Sequence, residues 1–232
     1  MTQLSALSTQ LIPDWSQIDD VLLDMDGTLL DRHFDNFFFE EELPRRYALL
    51  HDTTFEEARD LLMSMYRSVE GELAWTDLHY WTKRIGIDVV AMTKELDHLI
   101  GFLPGAEAFL GNLRRMGKRV TIVTNAHASG VAIKTARTGV DRCVDRVVNA
   151  FEVGYLKMRS EYWPNCQRLV GFEPKRSLYI DDDECCLVAA QDFGVAHLLH
   201  SAKSSSQLEP APSSIFTSVE HFSVLMNGHP GS

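Results

Sequence analysis

The sequence predicts a doubly wound α/β protein, a parallel sheet with helices on both faces, interrupted by an all-helical insertion. Three observations predict it. From about residue 105 onward, short apolar runs alternate with helical-period segments that stop at Gly117, Gly139, Gly171 and Gly194. Helices that end in glycine just before apolar strands form βαβ units, and these build parallel sheets. Between about Asp35 and Leu103, by contrast, nearly every segment has helical spacing. Finally, Val21-Leu22-Leu23 reads as a buried strand with no helix–strand partner nearby. The simplest arrangement places that strand in the later sheet, with the helical block inserted after it.

Taken in order, residues 1–16 read as a polar, irregular leader, and 18–23 as the first strand. Phe37-Phe38-Phe39 with Glu40-Glu41-Glu42 opens the helical block. Thr54 followed by Glu57 is a capping box, and Phe55, Ala58, Leu61, Leu62, Met65, Tyr66 and Val69 then fall on one face at helical spacing. Trp75, Leu78, Trp81 and Ile85 mark a third helix ending near Gly86, and a fourth runs over 88–99. Leu103-Pro104-Gly105 closes the block. Beyond it the pattern predicts helices over 106–116, 129–138, 160–170 and 184–193, and strands over 120–124, 146–148, 177–180 and 195–199. Residues 201–214 are rich in Ser and Pro and read as a loop, with a last strand and helix from Ile215. The expected organisation is a leader 1–16, a core of 17–33 and 103–232, and a helical block of 34–102.

The 232 residues carry a formal net charge of −11, with 45% hydrophobic and 24% charged residues. That is ample for a core, and the charge disfavours nucleic acid and anionic membrane as partners. No apolar run approaches the ~20 residues of a membrane helix. The N-terminus lacks the basic start and apolar centre of a secretory signal, so the cytoplasm is expected. Cys143, Cys166, Cys185 and Cys186 form no CxxC pair and read as small buried residues in a reducing compartment.

In open α/β sheets, ligands bind at the carboxyl ends of the strands. The first strand end delivers Asp24 and Asp26, one residue apart, before Gly27-Thr28. The strand over 120–124 delivers Thr124 and Asn125. Lys157 follows in the loop after Val148, and Asp181-Asp182-Asp183-Glu184 follows Leu178-Tyr179-Ile180. Each has a plainer reading alone: a turn, a strand-end hydroxyl, a surface lysine, or a helix cap with first-turn acids. Together they are what metal-assisted phosphoryl chemistry requires. Buried carboxylates need a partner, a metal or a proton. Magnesium takes oxygen ligands, and a carboxylate can attack phosphorus while a second exchanges protons with the leaving group and water. A hydroxyl and a lysine can hold the phosphate.

The order Asp-x-Asp-Gly-Thr, apolar strand–Thr, Lys, Asp-Asp resembles that of the haloacid dehalogenase-like hydrolase superfamily, and the insertion after the first motif resembles its C1 cap. Val21 through Asp31, Phe34-Asp35-Asn36, Leu73-Ala74-Trp75 through Tyr80-Trp81, Asp88 through Thr93, and Thr124-Asn125-Ala126-His127 are similar to the bacterial GMP/IMP nucleotidase branch. The resemblance implies a Rossmann-like core with a helical cap and a Mg2+-dependent phosphomonoesterase acting through an aspartyl-phosphate. It implies a small phosphorylated substrate, a nucleoside monophosphate such as GMP or IMP. By matching position, Asp24 is the nucleophile and Asp26 the general acid/base. Thr124, Asn125 and Lys157 are phosphate-binding. The metal falls to Asp24, Asp182, Asp181 and the backbone carbonyl of Asp26.

Two departures stand out. Asp181 and Cys186 occupy positions where many relatives carry a glycine and a second acid, so the paired Asp181-Asp182 form must serve. Leu156 precedes Lys157 where the nucleotidases tend to have proline. Other readings are a phosphatase for sugar phosphates or phosphoglycolate, a C–halogen hydrolase, which has no use for Asp26, and a non-catalytic binding module. His127, just past Thr124, is a candidate pocket residue but reads more readily as a structural one; Phe37, Phe38, Phe39, Trp75, Tyr80 and Trp81 are expected to fill the helical block, with room for one or two to stack on a base.

Overall fold

The computed structural model describes residues 13–226. Among these residues lies a six-stranded sheet of β1 (Asp20–Leu23), β2 (Arg119–Thr124), β3 (Arg146–Asn149), β4 (Ser177–Asp181), β5 (His197–Ser201) and β6 (Ser218–Val219). The strand order is β3-β2-β1-β4-β5-β6 and every pairing is parallel. β1 is therefore central, with Leu23 opposite Ile122 on one side and Ile180 on the other. The lone early strand joins the later sheet, as its apolar run requires.

Strand side chains alternate between the two faces. Val21, Leu23, Ile122 and Ile180 pack with Phe109, Leu110 and Leu113 of the helix Ala106–Arg115. Leu22, Val123 and Tyr179 pack on the opposite face with Trp163 and Cys166 of the helix Tyr162–Val170, and with Leu187 and Ala190 of the helix Glu184–Phe193. Leu22 and Leu23 are almost fully buried, and each such burial contributes about 1.5–3 kcal/mol. Covering both faces explains why β1 is apolar from Val21 to Leu23.

The helices of the insertion lie between β1 and β2 in sequence and none adds to the sheet. The first runs from His33 through a wide π turn, Phe38–Glu42, into the helix Leu43–His51. Pro44 has no N–H to give the preceding turn, and the widening falls just ahead of it. Thr54 and Glu57 form the expected capping box at the start of Phe55–Ser68. Asp77 and Asp88 cap the helices Leu78–Ile85 and Val89–Glu95, and Gly86 ends the former in the left-handed conformation. Entry and exit meet at a short antiparallel bridge, Leu30 with Phe102. Leu103 N–H donates to Leu29 O and Asp31 N–H to Gly101 O, both at 2.9 Å.

Several sequence expectations are corrected. The leader was expected to run as an irregular surface segment to residue 16. Residues 1–12 lie outside the described part, but Asp14 caps a short turn, Trp15–Gln17, and Trp15 is buried against Phe109. A single apolar residue in a polar stretch carries no periodicity to betray this. β5 begins two residues later than expected, because Val195 packs in the turn after Gly194. A short helix, Ala150–Val153, was missed although Asn149 and Glu152 form its capping box. Cys166 and Cys186 are buried as expected, whereas Cys143 is half-buried and Cys185 is exposed on the first turn of its helix. All four cysteines are free.

Candidate active site

The parallel sheet brings its strand ends to one edge. Asp24 follows β1, and its N–H donates to Ile180 O at 2.9 Å, which ties it to β4. β2 ends at Thr124 and β4 at Asp181. Thr124 is buried and its hydroxyl accepts from Ala126 N–H at 3.1 Å. Asn125, expected to bind phosphate, also supports the loop that carries Lys157. Its carboxamide oxygen accepts the backbone N–H of Lys157 at 2.8 Å, so it anchors the lysine loop. Trp163 Nε1 donates to Lys157 O at 3.1 Å and fixes the same loop from below.

Lys157 is 1% exposed and its Nζ donates to both Asp24 Oδ1 and Asp181 Oδ2, the latter at 2.7 Å. Tyr179 O–H also donates to Asp181. The acidic run divides its work. Asp181 faces Lys157, Asp182 pairs with Arg32 at 2.8 Å, and Asp183 caps the following helix by accepting Cys185 N–H at 2.8 Å. Asp26 lies within 2.7 Å of Lys134 Nζ, an ion pair that sequence reading missed, and Lys134 also contacts Asp35 at 2.8 Å. Arg32, Lys134 and Asp35 gave no local signal beyond Asp35's place in a family-like stretch.

Oxygens of Asp24, Asp181 and Asp182 lie within 4.8 Å of one another. Asp24 Oδ2 is buried with no hydrogen-bond partner. Gly27 turns the chain at φ +92°, and a Cβ there would come within 2.4 Å of Asp182 Oδ2. Glycine thus lets the loop close against that carboxylate. Burial pushes the Asp24 carboxyl well up, against the opposing charge of Lys157, and Asp181 and Asp182 raise it further. Burial, with Asp181 adding to it, pushes Asp182 up to about 7 while Arg32 opposes. Three hard oxygen donors, of which Asp24 and Asp182 are held toward their neutral forms, suit a divalent cation, which would reverse that preference.

Above the acids is a cavity of about 640 Å³. Asp24, Asp26, Thr124 and Lys157 lie at its sheet end, and Phe39, Tyr66, Trp75 and Trp81 at its helical end. Tyr66 stands edge-on to Phe39 and Trp81 at 5.9 and 4.8 Å between ring centroids. Its hydroxyl is buried without a partner, and burial holds it protonated. His127 and Cys186 line the wall. Of the aromatics expected to fill the helical block, Phe38 and Trp81 are buried, while Phe39 and Trp75 face the cavity only half-buried.

Residues 18–194 match the family of haloacid dehalogenase-like hydrolases. The chain belongs to that family. It is 36% identical over 185 residues to the GMP/IMP nucleotidase YrfG of Escherichia coli (strain K12), covering 80% of this chain and 83% of that protein. The same-named protein of Shigella flexneri matches equally. Among solved structures, a HAD phosphatase from Thermococcus onnurineus superposes with a TM-score of 0.74 at 20% identity, covering 90% of this chain and 96% of that one. An L-2-haloacid dehalogenase from Xanthobacter autotrophicus gives 0.57 at 14% identity, with 90% and 97% covered. At these identities the structural likeness concerns the fold, which is that of this hydrolase family. No helix among the described residues is long and apolar enough to cross a membrane.

Proposed function

We propose that this protein is a Mg2+-dependent phosphomonoesterase that acts through an aspartyl-phosphate on purine nucleoside monophosphates such as GMP and IMP. The observation that carries the reading is the unpartnered, buried Asp24 Oδ2 at the floor of the cavity, flanked by Lys157 and two further acids. Asp24, Asp182 and the backbone carbonyl of Asp26 would hold the metal, with Asp181 beside them. The ion would neutralise charge on the acids and on the transferring phosphoryl oxygens. Asp24 attacks phosphorus as the bond to the ester oxygen breaks, and Asp26 delivers a proton to that oxygen. Asp26 then takes a proton from the water that hydrolyses the acyl phosphate. Lys157 and Thr124 steady the phosphoryl oxygens, and Asn125 holds Lys157 in place.

The helical insertion, residues 34–102, serves as a cap that closes over the site and selects the substrate. A purine offers flat faces to Phe39, Tyr66 and Trp75, and the cavity volume falls in the range of small-ligand sites. The 36% identical nucleotidase supports the same substrate class. Dehalogenation would leave Asp26 and its Lys134 partner without a task. Four free cysteines agree with a cytoplasmic setting. The test is phosphate release from GMP, IMP and a panel of sugar phosphates, with and without Mg2+. Metal-dependent release that favours the purine nucleotides is expected, and Asp24→Asn should abolish it while the protein stays folded. A variant that retains activity sinks the mechanism, and a preference for sugar phosphates sinks the nucleotide assignment.

A further inference from the structure

We propose that Lys134 is a positioning residue for Asp26, and that Asp35, from the first helix of the insertion, sets it there. The inference rests on the phosphatase reading above, in which Asp26 exchanges protons with the leaving group.

Lys134 lies on the helix Ala128–Thr138, and it is 5% exposed. A helical lysine near a surface ordinarily extends its ammonium to water. This one is drawn inward to two carboxylates. Its Nζ donates to Asp35 Oδ1 and Oδ2 at 2.8 and 2.9 Å. It also stands 2.7 Å from Asp26 Oδ1. The two acids share the ammonium unequally. Asp35 holds it through both carboxylate oxygens. Asp26 meets it through Oδ1, which constrains where that carboxylate sits at the cavity. Lys134 Nζ also lies 5.7 Å from the centre of the Phe34 ring, one residue before Asp35, so the same short helix braces it twice.

No other cation among the described residues is paired with Asp26. Lys157 serves Asp24 and Asp181, and Arg32 serves Asp182. Burial works against the Lys134 ammonium, yet Asp26 and Asp35 together outweigh it and keep it charged. The chain thus ties the proton-transfer group of the core to the insertion through one buried ammonium. Seating of the helical block and orientation of Asp26 become one event.

The test compares two esters in Lys134→Met, which keeps the side-chain length and removes the charge. GMP expels its nucleoside as an alkoxide that needs a proton, whereas the nitrophenolate expelled from p-nitrophenyl phosphate does not. The parameter kcat/KM covers only the steps up to loss of the leaving group. A misplaced acid should lower kcat/KM for GMP by about 10- to 100-fold, and that for p-nitrophenyl phosphate by no more than about 3-fold. Asp35→Asn, which keeps the ammonium and loosens its grip, should give a smaller loss with the same bias. Lys134→Arg should recover part of the GMP rate. Should Lys134→Met fail to fold, the bias in Asp35→Asn decides alone. Equal losses on both esters in the folded variants would make Lys134 merely structural and overturn the inference while leaving the phosphatase reading intact. A wild-type enzyme that hydrolyses neither ester overturns both.

Discussion

Replacing Asp182 with asparagine should make the metal-free protein more stable at alkaline pH while removing its response to metal. The carboxyl is almost fully buried beside Asp24 and Asp181, and burial pushes it from 3.8 up to about 7. A group whose pKa is raised on folding contributes its stability below the unfolded value and loses it as pH rises through the folded one. For Asp182 that window runs from about pH 4 to about pH 7, and the loss at about 1.4 kcal/mol per pH unit comes to about 4 kcal/mol. Asparagine never ionises, so it escapes the loss. It forfeits the contact with Arg32, but that guanidinium is half-exposed and such a pair contributes about 1 kcal/mol or less. The net gain near pH 8 is about 3 kcal/mol, or about 10 °C in Tm for a chain of this size.

Thermal unfolding in chelator near pH 8 and near pH 4 measures it. The variant should melt higher at the alkaline pH and no higher at the acid one. Millimolar Mg2+ should then raise the wild-type Tm and leave the variant's unchanged. A variant that melts lower than wild type near pH 8 in chelator, or a difference that ignores pH, would refute the argument.

Gly27→Ala combines a φ of +92° with a Cβ 2.4 Å from Asp182 Oδ2. Strain of this kind costs about 1–3 kcal/mol, and the displaced carboxylate should lower phosphate release far more than it lowers Tm. Comparing a melting curve with an activity assay on one preparation checks this. Lys157→Met leaves Asp24 and Asp181 buried together without their cation, a change worth about 3–5 kcal/mol. Burial already raises the Asp24 carboxyl and Lys157 opposes it, so the loss should shrink as pH falls and the acid protonates. Urea unfolding near pH 8 and near pH 5 reads the difference.

The sheet and the acids at its edge were legible because their signals are local. A buried parallel strand is an apolar run, and a residue just past it must lie at the ligand-binding edge. The capping box at Thr54 is likewise written within a few residues. What escaped at the site was pairing at long range. Arg32 meets Asp182 across 150 positions and Lys134 meets Asp35 across 99. A lysine on an amphipathic helix looks the same in sequence whether it reaches water or two buried acids. Asn125 illustrates a subtler limit: its position at a strand end was evident, but its commitment to the Lys157 backbone depends on a loop that arrives 32 residues later.

Charge balance links these missed partners to the expected acids. The connected ion pairs at the sheet edge contain five carboxylates, Asp24, Asp26, Asp35, Asp181 and Asp182, and three cations, Arg32, Lys134 and Lys157. Each lysine is shared by two acids, whereas Arg32 meets one. When all five acids are ionised the cluster is two positive charges short, the charge of one divalent ion. A phosphate monoester brings negative charge of its own and would be repelled by the cluster in that state. Burial keeps water from screening the repulsion at the floor of the cavity. On the proposed phosphatase reading, a cation bound among Asp24, Asp181 and Asp182 would remove the deficit and leave Lys157 to act on the phosphoryl group. That reading therefore calls for an order in which the metal binds first and the ester second, with Lys134 keeping the charge of Asp26 and Asp35 apart from that exchange.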